Sequence, residues 1–328
     1  MMDNTPGFSF IVPVIAINDY VRETVSQLLS IDRSDWELII VTDEKSHTEW
    51  SDQSKILLMN SGKVGPAKKR DFAAGVARGE YLIFIDDDSY PSHDFLDCLE
   101  ESFSDLSVSA IGGPGITPDQ DGFWEKVSGA TFESRFLSSD ANRYLPLGKK
   151  AIVNDWPSVN LSIRKEDFRI VGGYQSTFWP GEDTEFCHKL ISQNLQILYD
   201  PSVIVFHHRR SGLSRHLKQV GGYGLHRGFF ARKFPKNSRK LKYFVPSAFF
   251  IYTFLLIPVL LTSDEFLFEA PLVLYGILLT AFFAETTFRR GVRIAGMSVV
   301  YAIFSHLWYG LKFIQGFVFT RELISRLR

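Results

Sequence analysis

Asp86-Asp87-Asp88 is the group of residues in this chain best suited to chemistry. It follows Tyr81-Leu82-Ile83-Phe84-Ile85, an apolar run that reads as a buried strand. Adjacent carboxylates oppose one another's ionisation unless something offsets the repulsion. A divalent cation does so, since Mg2+ prefers carboxylate oxygens and shares them with substrate phosphates. The alternative is an acidic turn closed by Pro91. Asp43 can accept a hydrogen bond from a base N–H, and Arg70 can reach a phosphate or a base carbonyl. Glu182-Asp183 follow Pro180-Gly181 and suit a helix N-terminus, which welcomes acidic side chains and would hold one still. His207 adds a candidate metal or phosphate ligand.

The elements that must position these residues alternate between strand and helix. Phe8 to Val14 is a short apolar run, and Tyr20 to Leu29 has helical spacing at Val21, Val25, Leu28 and Leu29. Glu37 to Val41 and Lys55 to Met59 read as strands, and Gly65-Pro66 opens a helix through Lys68 to Ala77. Such alternation predicts a parallel α/β sheet. Ligands bind beyond the carboxyl ends of the strands in these sheets. Pro13, Asp43 and Asp86–Asp88 all stand at such ends. Neither G-x-G-x-x-G nor G-x-x-x-x-G-K-S/T occurs, so a dinucleotide fingerprint and a P-loop are unsupported.

The chain carries 36 Lys and Arg against 37 Asp and Glu over 328 residues, which excludes a globally basic nucleic-acid binder. The balance hides an asymmetry. From His207 to Lys242 there are eleven Lys or Arg and no acid, with four of the eight histidines. Cys98 and Cys187 are the only cysteines, too few for a disulfide scaffold and compatible with a reducing cytosol. The N-terminal residues lack a basic-then-apolar leader pattern, so export of the first domain is not expected.

Beyond Lys242, Phe244 to Thr262 has no charge, Phe266 to Ala284 only Glu269, and Ile294 to Phe319 only His306 and Lys312. About 20 helical residues cross a bilayer core, so two or three membrane helices are expected. Positive-inside counting puts residues 207–242 on the cytoplasmic side and Asp264-Glu265 in an outer loop. Arg321, Arg326 and Arg328 break that rule if the third segment spans once, which leaves a single span and a re-entrant segment both open. The expected organisation is a catalytic domain over 1–206, a basic juxtamembrane segment over 207–243 and a multi-pass membrane region over 244–328. Arg209, Arg210 and Arg227 in the basic segment can hold the diphosphate of a donor or of a lipid carrier, or lie against anionic lipid.

Taken in order, these segments resemble the inverting family 2 glycosyltransferases, over about two-thirds of the chain. Phe8-Ser9-Phe10-Ile11-Val12-Pro13-Val14 is similar to the opening strand, and Glu37-Leu38-Ile39-Ile40-Val41-Thr42-Asp43 to the strand ending in the base-binding Asp. Gly65-Pro66-Ala67-Lys68-Lys69-Arg70-Asp71 resembles G-x-x-x-x-R-N, Gly79-Glu80-Tyr81 resembles G-E-Y, and Asp86-Asp87-Asp88 stands where the family has D-x-D. Asn160-Leu161-Ser162-Ile163-Arg164, Val171-Gly172-Gly173-Tyr174 and Gly181-Glu182-Asp183-Thr184-Glu185-Phe186 resemble its acceptor-side elements, with Tyr199-Asp200-Pro201 and His207 behind them. The departures are Thr42, where a second acid is frequent, and Asp71 in place of Asn. No Q-x-x-R-W follows, which argues against a processive synthase. Instead Gly221-Gly222-Tyr223-Gly224-Leu225-His226-Arg227-Gly228 resembles the Y-G-x-x-R element of members acting on lipid-linked saccharides.

The resemblance implies an α/β nucleotide-diphospho-sugar transferase (GT-A, Rossmann-like) domain followed by C-terminal transmembrane helices. It implies single displacement at the anomeric carbon of a nucleotide-activated sugar, UDP being the usual nucleotide. Pro13, Asp43, Arg70, Asp86 and Asp87 would bind the nucleotide, and Asp88, Asp86 and His207 would hold Mg2+ or Mn2+ against the leaving diphosphate. Asp183 would take the acceptor proton, with Glu182, Asn160 and Trp156 on the acceptor side. The acceptor is expected to be a lipid-linked glycan or surface polysaccharide, with polyprenyl phosphate as the alternative. A non-catalytic membrane protein that binds sugar nucleotides is the alternative from another class. The segment from Gly112 to Trp156 shows no interpretable pattern, and Gly112-Gly113-Pro114-Gly115 marks only tight backbone near the donor.

Overall fold

The computed structural model describes residues 6–46, 48–50, 52–260 and 269–323. The expected outer loop at Asp264-Glu265 and the terminal Arg326 and Arg328 lie outside the described residues. The chain opens with β1 (Phe8–Pro13), α1 (Asp19–Leu29), β2 (Trp36–Thr42), β3 (Ile56–Asn60), α2 (Pro66–Val76), β4 (Tyr81–Ile85) and β5 (Ser89–Pro91). There follow α3 (Phe95–Phe103), β6 (Val108–Gly112), β7 (Gly115–Ile116), α4 (Phe123–Glu133), β8 (Ala151–Val153) and β9 (Asn160–Arg164). Next are α5 (Lys165–Ile170), α6 (Glu182–Ser192), β10 (Gln196–Tyr199) and β11 (Val205–His207). The helices α7 (Leu213–Lys233), α8 (Pro235–Ser238), α9 (Leu241–Leu260), α10 (Ala270–Arg290) and α11 (Val292–Ile314) complete the order, and a π-helical turn extends α11 over Gln315–Phe319.

Two compact units emerge, and they do not follow a cut at residue 206. Among the described residues the first comprises 6–116 and 145–207, the second 117–144 and 208–323. The segment without an interpretable pattern therefore divides: its middle, with α4, joins the C-terminal helices. In the first unit eight strands run in the order β3-β2-β1-β4-β9-β6-β10-β8. β3, β2, β1 and β4 are mutually parallel, and β9 is antiparallel to both β4 and β6. A smaller sheet orders β5-β11-β7.

Both faces of the large sheet are covered, which is why its strands read as continuous apolar runs. Successive side chains of β1 alternate between the two cores. Phe10 and Val12 pack with Val21, Val25 and Leu28 of α1 and with Phe95 and Leu99 of α3. Ile11 packs with Ala67, Ala73 and Ala74 of α2 and with Phe186 and Leu190 of α6. The small alanines bring α2 close to the sheet, which matters for the cations it carries.

In the second unit α10 and the continuous helical stretch Val292–Phe319 are long and apolar enough to cross a membrane, and Leu241–Leu255 is a shorter apolar helix. Polar anchors join the helices. Glu133, 1% exposed, accepts from Arg290 at 2.8 and 3.0 Å and from Arg289 at 3.3 Å. His216 of α7 is clamped between Ser128 of α4 and Ser305 of α11, each hydroxyl 2.8 Å from one ring nitrogen. α7 approaches α11 so closely that a Cβ on Gly228 would lie 2.2 Å from the Phe313 carbonyl oxygen. The glycines of the Y-G-x-x-R-like segment thus serve helix packing.

Candidate active site

The three carboxylates after β4 are separated by a tight turn. Ser89 donates to the Asp86 carbonyl from its backbone N–H at 3.2 Å and from its hydroxyl at 2.9 Å. Each side chain then finds its own partner. Asp86 accepts from Arg70 at 2.7 Å, Asp87 accepts from the Asn18 amide at 2.8 Å, and Asp88 lies 3.2 Å from His207 Nε2. The repulsion that makes an acidic triplet costly is offset by three different groups. His207 reaches Asp88 because β11 pairs with β5 antiparallel, which places His207 opposite Ser89.

Helix α2 supplies the organising cations. Gly65 caps it and Pro66 occupies its first turn, which pre-sets the helical backbone. Three successive residues then reach three loops. Lys69 pairs with Asp43 at the end of β2 and donates to the Val14 carbonyl beyond β1. Arg70 donates to Asp86 and, through Nη1 at 2.8 Å, to Glu182. Asp71 accepts from the backbone N–H groups of Tyr174 and Gln175 at 2.7 and 2.8 Å. Arg70 is 2% exposed and lies over the Tyr174 ring, 5.4 Å from its centroid.

Electrostatics follow from burial. Desolvation pushes the Glu182 carboxyl above its ordinary value, and Arg70 opposes that shift. Burial likewise raises the Asp71 carboxyl against its two backbone donors. Burial acts against the Arg70 charge, but Tyr174, Asp86 and Glu182 together hold its guanidinium above the usual value. Glu182 and Asp183 open α6, capped by Gly181 at φ +107°, a left-handed conformation that favours glycine. Asp183 is half-buried, and its Oδ1 accepts from the Thr184 N–H at 2.7 Å.

Pro13, Asp43, Arg70, Asp86, Asp87, Asp88, Glu182, Asp183 and His207 all belong to the first unit, where Arg70 links Asp86 to Glu182 and His207 lies beside Asp88. Among the described residues no three His, Cys, Asp or Glu side chains gather as a metal-binding group. Of the three expected ligands, Asp86 pairs through Oδ1 with Arg70, and Asp88 and His207 lie side by side. Two of the residues expected on the acceptor side are buried. Trp156 is 2% exposed, stacked on Tyr199 at 4.9 Å and donating to the Gly113 carbonyl at 3.0 Å. Asn160 is fully buried and donates to the Val203 carbonyl at 2.7 Å and, more weakly, to that of Pro114 at 3.3 Å. Both side chains hold backbone carbonyls close to β9.

Arg209, Arg210 and Arg227 belong to the second unit. Arg209 donates to Thr117 at 3.2 Å and lies over Tyr144, and Arg227 lies over Tyr243, 4.7 Å from its centroid. Sequence reasoning missed Lys69, Asn18 and Tyr174. Helical spacing could have found the first, since Lys69 and Arg70 share the stripe of Ala67, Ala73 and Ala74 that faces the sheet.

Comparison with known proteins agrees with this architecture. Residues 9–165 match the model of glycosyl transferase family 2. A pre-mycofactocin glycosyltransferase of Mycobacterium tuberculosis is 28% identical over 161 residues, covering 49% of this chain and 33% of that protein. The poly(ribitol-phosphate) beta-N-acetylglucosaminyltransferase TarS of Staphylococcus aureus is 28% identical over 128 residues, covering 33% of this chain and 22% of that protein. The chain thus spans a third or less of the length of these relatives. The mannosyltransferase PcManGT of Pyrobaculum calidifontis, solved with GDP-Man and Mn2+, shares the fold at a TM-score of 0.53 and 13% identity. That match covers 97% of this chain and 88% of the other.

Proposed function

We propose, for a chain that belongs to glycosyl transferase family 2 through residues 9–165, an inverting transfer of a sugar from a nucleotide-diphospho-sugar to a lipid-linked glycan or surface-polysaccharide acceptor. One observation carries the reading. The Arg70 guanidinium joins Asp86 on the donor side to Glu182 at the start of α6, so donor and acceptor elements meet at one buried cation. Beside Glu182, Asp183 is fixed by the helix start and is the base. Its carboxylate takes the proton of the acceptor hydroxyl as that oxygen attacks the anomeric carbon and the sugar–phosphate bond breaks. The departing nucleoside diphosphate takes the bonding pair. A positioned base of this kind contributes about 10²–10⁴-fold.

Asp88 and His207 fit a divalent cation, because one carboxylate oxygen and one imidazole nitrogen leave most coordination positions to phosphate and water. Bound there, Mg2+ or Mn2+ would neutralise charge developing on the diphosphate. Asp43 at the end of β2 is the base-binding residue, and Pro13 and Asp87 flank the same strand ends. Two apolar helices of the second unit are long enough to cross a membrane. The proposed multi-pass placement, with the catalytic domain on the cytoplasmic face, rests on the basic stretch 207–242. Arg209, Arg210 and Arg227 suit lipid phosphate. The test is a panel of nucleotide sugars assayed for thermal stabilisation and donor hydrolysis with and without Mn2+. Stabilisation by one donor that grows with Mn2+ is expected, and indifference to every donor would refute the reading.

A further inference from the structure

Asp71 stands where the related pattern has Asn, and its surroundings give the carboxylate a task that an amide cannot perform. Its Oδ1 accepts from the Tyr174 N–H at 2.7 Å and its Oδ2 from the Gln175 N–H at 2.8 Å. Successive backbone N–H groups that converge in this way form an anion-binding concavity. An Asn has one acceptor oxygen, so its NH2 would face the second N–H, donor against donor. The turn that builds the concavity is left-handed at Gly172, Gly173 and Gln175, with φ of +76°, +72° and +37°. Glycine adopts such angles freely, whereas Gln175 does so only where its surroundings hold it. Gly173 also lets the carboxylate approach, since a Cβ there would lie 2.6 Å from Asp71 Oδ1.

The same turn is held from its other side by α6. Lys189 Nζ donates to the carbonyls of Gly173, at 3.2 Å, and Tyr174, at 2.5 Å. The fully buried Tyr174 ring stacks on Phe186 at 4.3 Å and lies under Arg70, which itself reaches Glu182. Residues 172–175 are thus a wedge between α2 and α6, its backbone fastened to α2 by Asp71 and to α6 by Lys189. Asp183 stands in the first turn of α6, so the wedge sets where its carboxylate lies relative to Arg70. We infer that Asp71 is a positioning residue for the transfer: by closing the concavity of the Tyr174 and Gln175 N–H groups it fixes α6, and with it Asp183, against α2. This rests on the reading of Asp183 as the base. Both bonds of Asp71 go to the turn and not to the donor site, so it serves the rate of the chemical step and not the binding of nucleotide. Misplacing a reacting group by about 1 Å can cost about a hundredfold in rate.

The test uses the full chain in detergent micelles with Mn2+, water standing in for the acceptor hydroxyl. Release of nucleoside diphosphate is followed from UDP-glucose, UDP-galactose, UDP-N-acetylglucosamine, UDP-glucuronate, GDP-mannose and dTDP-rhamnose. On the donor that turns over, Asp71→Asn should lower kcat by about ten- to a hundredfold at a temperature where the variant is folded. Calorimetry with the matching nucleoside diphosphate should give an unchanged Kd. Lys189→Met opens the same turn from the other side and should show the same split between kcat and Kd. A kcat per folded molecule equal to that of the wild type overturns the inference, and so does a Kd that weakens in step with kcat. Failure of both variants to fold would make the turn structural only and overturn it too. Each of those results leaves the transfer reading standing. A wild-type protein that releases nothing from any of these donors overturns that reading with it.

Discussion

Replacing Arg70 by methionine should destabilise the protein in a way that a second substitution repairs. The Arg70 side chain is 3% exposed and holds two carboxylates of unequal burial, Glu182 at 9% and Asp86 at 38%. Water screens Asp86, so its share is of surface size, about 0–1 kcal/mol. Glu182 is where the cost lies, because removing one partner of a buried pair costs about 3–5 kcal/mol. At about 2–4 °C per kcal/mol for a domain of this order, the melting temperature should fall by about 10 °C. The pH dependence has a definite sign. Burial already raises the Glu182 carboxyl and Arg70 opposes that rise, so Arg70→Met raises it further. A carboxyl raised in the folded state gives stability that is present below its unfolded value and lost as pH rises through the folded one. The variant should therefore be weakest at alkaline pH and recover towards acid. Adding Glu182→Gln removes the stranded charge and should restore at least half of the loss without restoring transfer. The measurement is a double-mutant cycle by denaturant titration at two pH values. A coupling energy below about 0.5 kcal/mol, the size expected for independent sites, would refute the claim that Arg70 and Glu182 act as one unit.

Asp183→Asn should lower transfer by about 10²–10⁴-fold while nucleotide-sugar binding, read by calorimetry, stays within twofold of about unity. Trp156→Phe should cost about 1–2 kcal/mol through its lost bond to the Gly113 carbonyl and leave the acceptor KM unchanged, because the indole is core. A raised acceptor KM at intact stability would place Trp156 on the acceptor side instead. His216 is pushed down to about 4 by burial, from an ordinary 6.5, so as pH falls the unfolded chain takes the proton first. Its stabilisation is present above pH 6.5 and is lost as pH falls towards 4, amounting to about 2 kcal/mol at pH 5. Unfolding measured between pH 7.5 and 5 should show that loss, and His216→Asn should lack it.

Much of the site was legible in sequence because it sits on elements with strong local signals. Apolar runs ending in Asp43 and Asp86–Asp88 announce strands whose carboxyl ends gather ligands, and Gly65-Pro66 announces the helix that carries Arg70. The strands and helices observed there differ from those expected by only one or two residues at their ends. Sequence could not say which partner each acid takes. Asp88 meets His207, 119 positions later, only through the β5–β11 pairing, and Arg70 meets Glu182 across 112 positions only because alanines seat α2 on the sheet. The same limit hid the burial of Trp156 and Asn160, whose polar atoms are as suited to a core carbonyl as to a substrate. It also hid Lys69, which local pattern counts as one of several surface lysines.

Sequence by itself determined the order of the first four strands and two helices, the acids at the strand ends and the apolar C-terminal segments, since these depend on periodicity and composition within a few residues. Tertiary structure alone decided that the acidic triplet fans out to Arg70, Asn18 and His207, that residues 117–144 leave the sheet unit for the helical one, and that Asp43 is held by a lysine. The physical reason is common to all three. The energy of a buried charge is set by the partner that reaches it, and that partner is chosen by packing between segments distant in the chain.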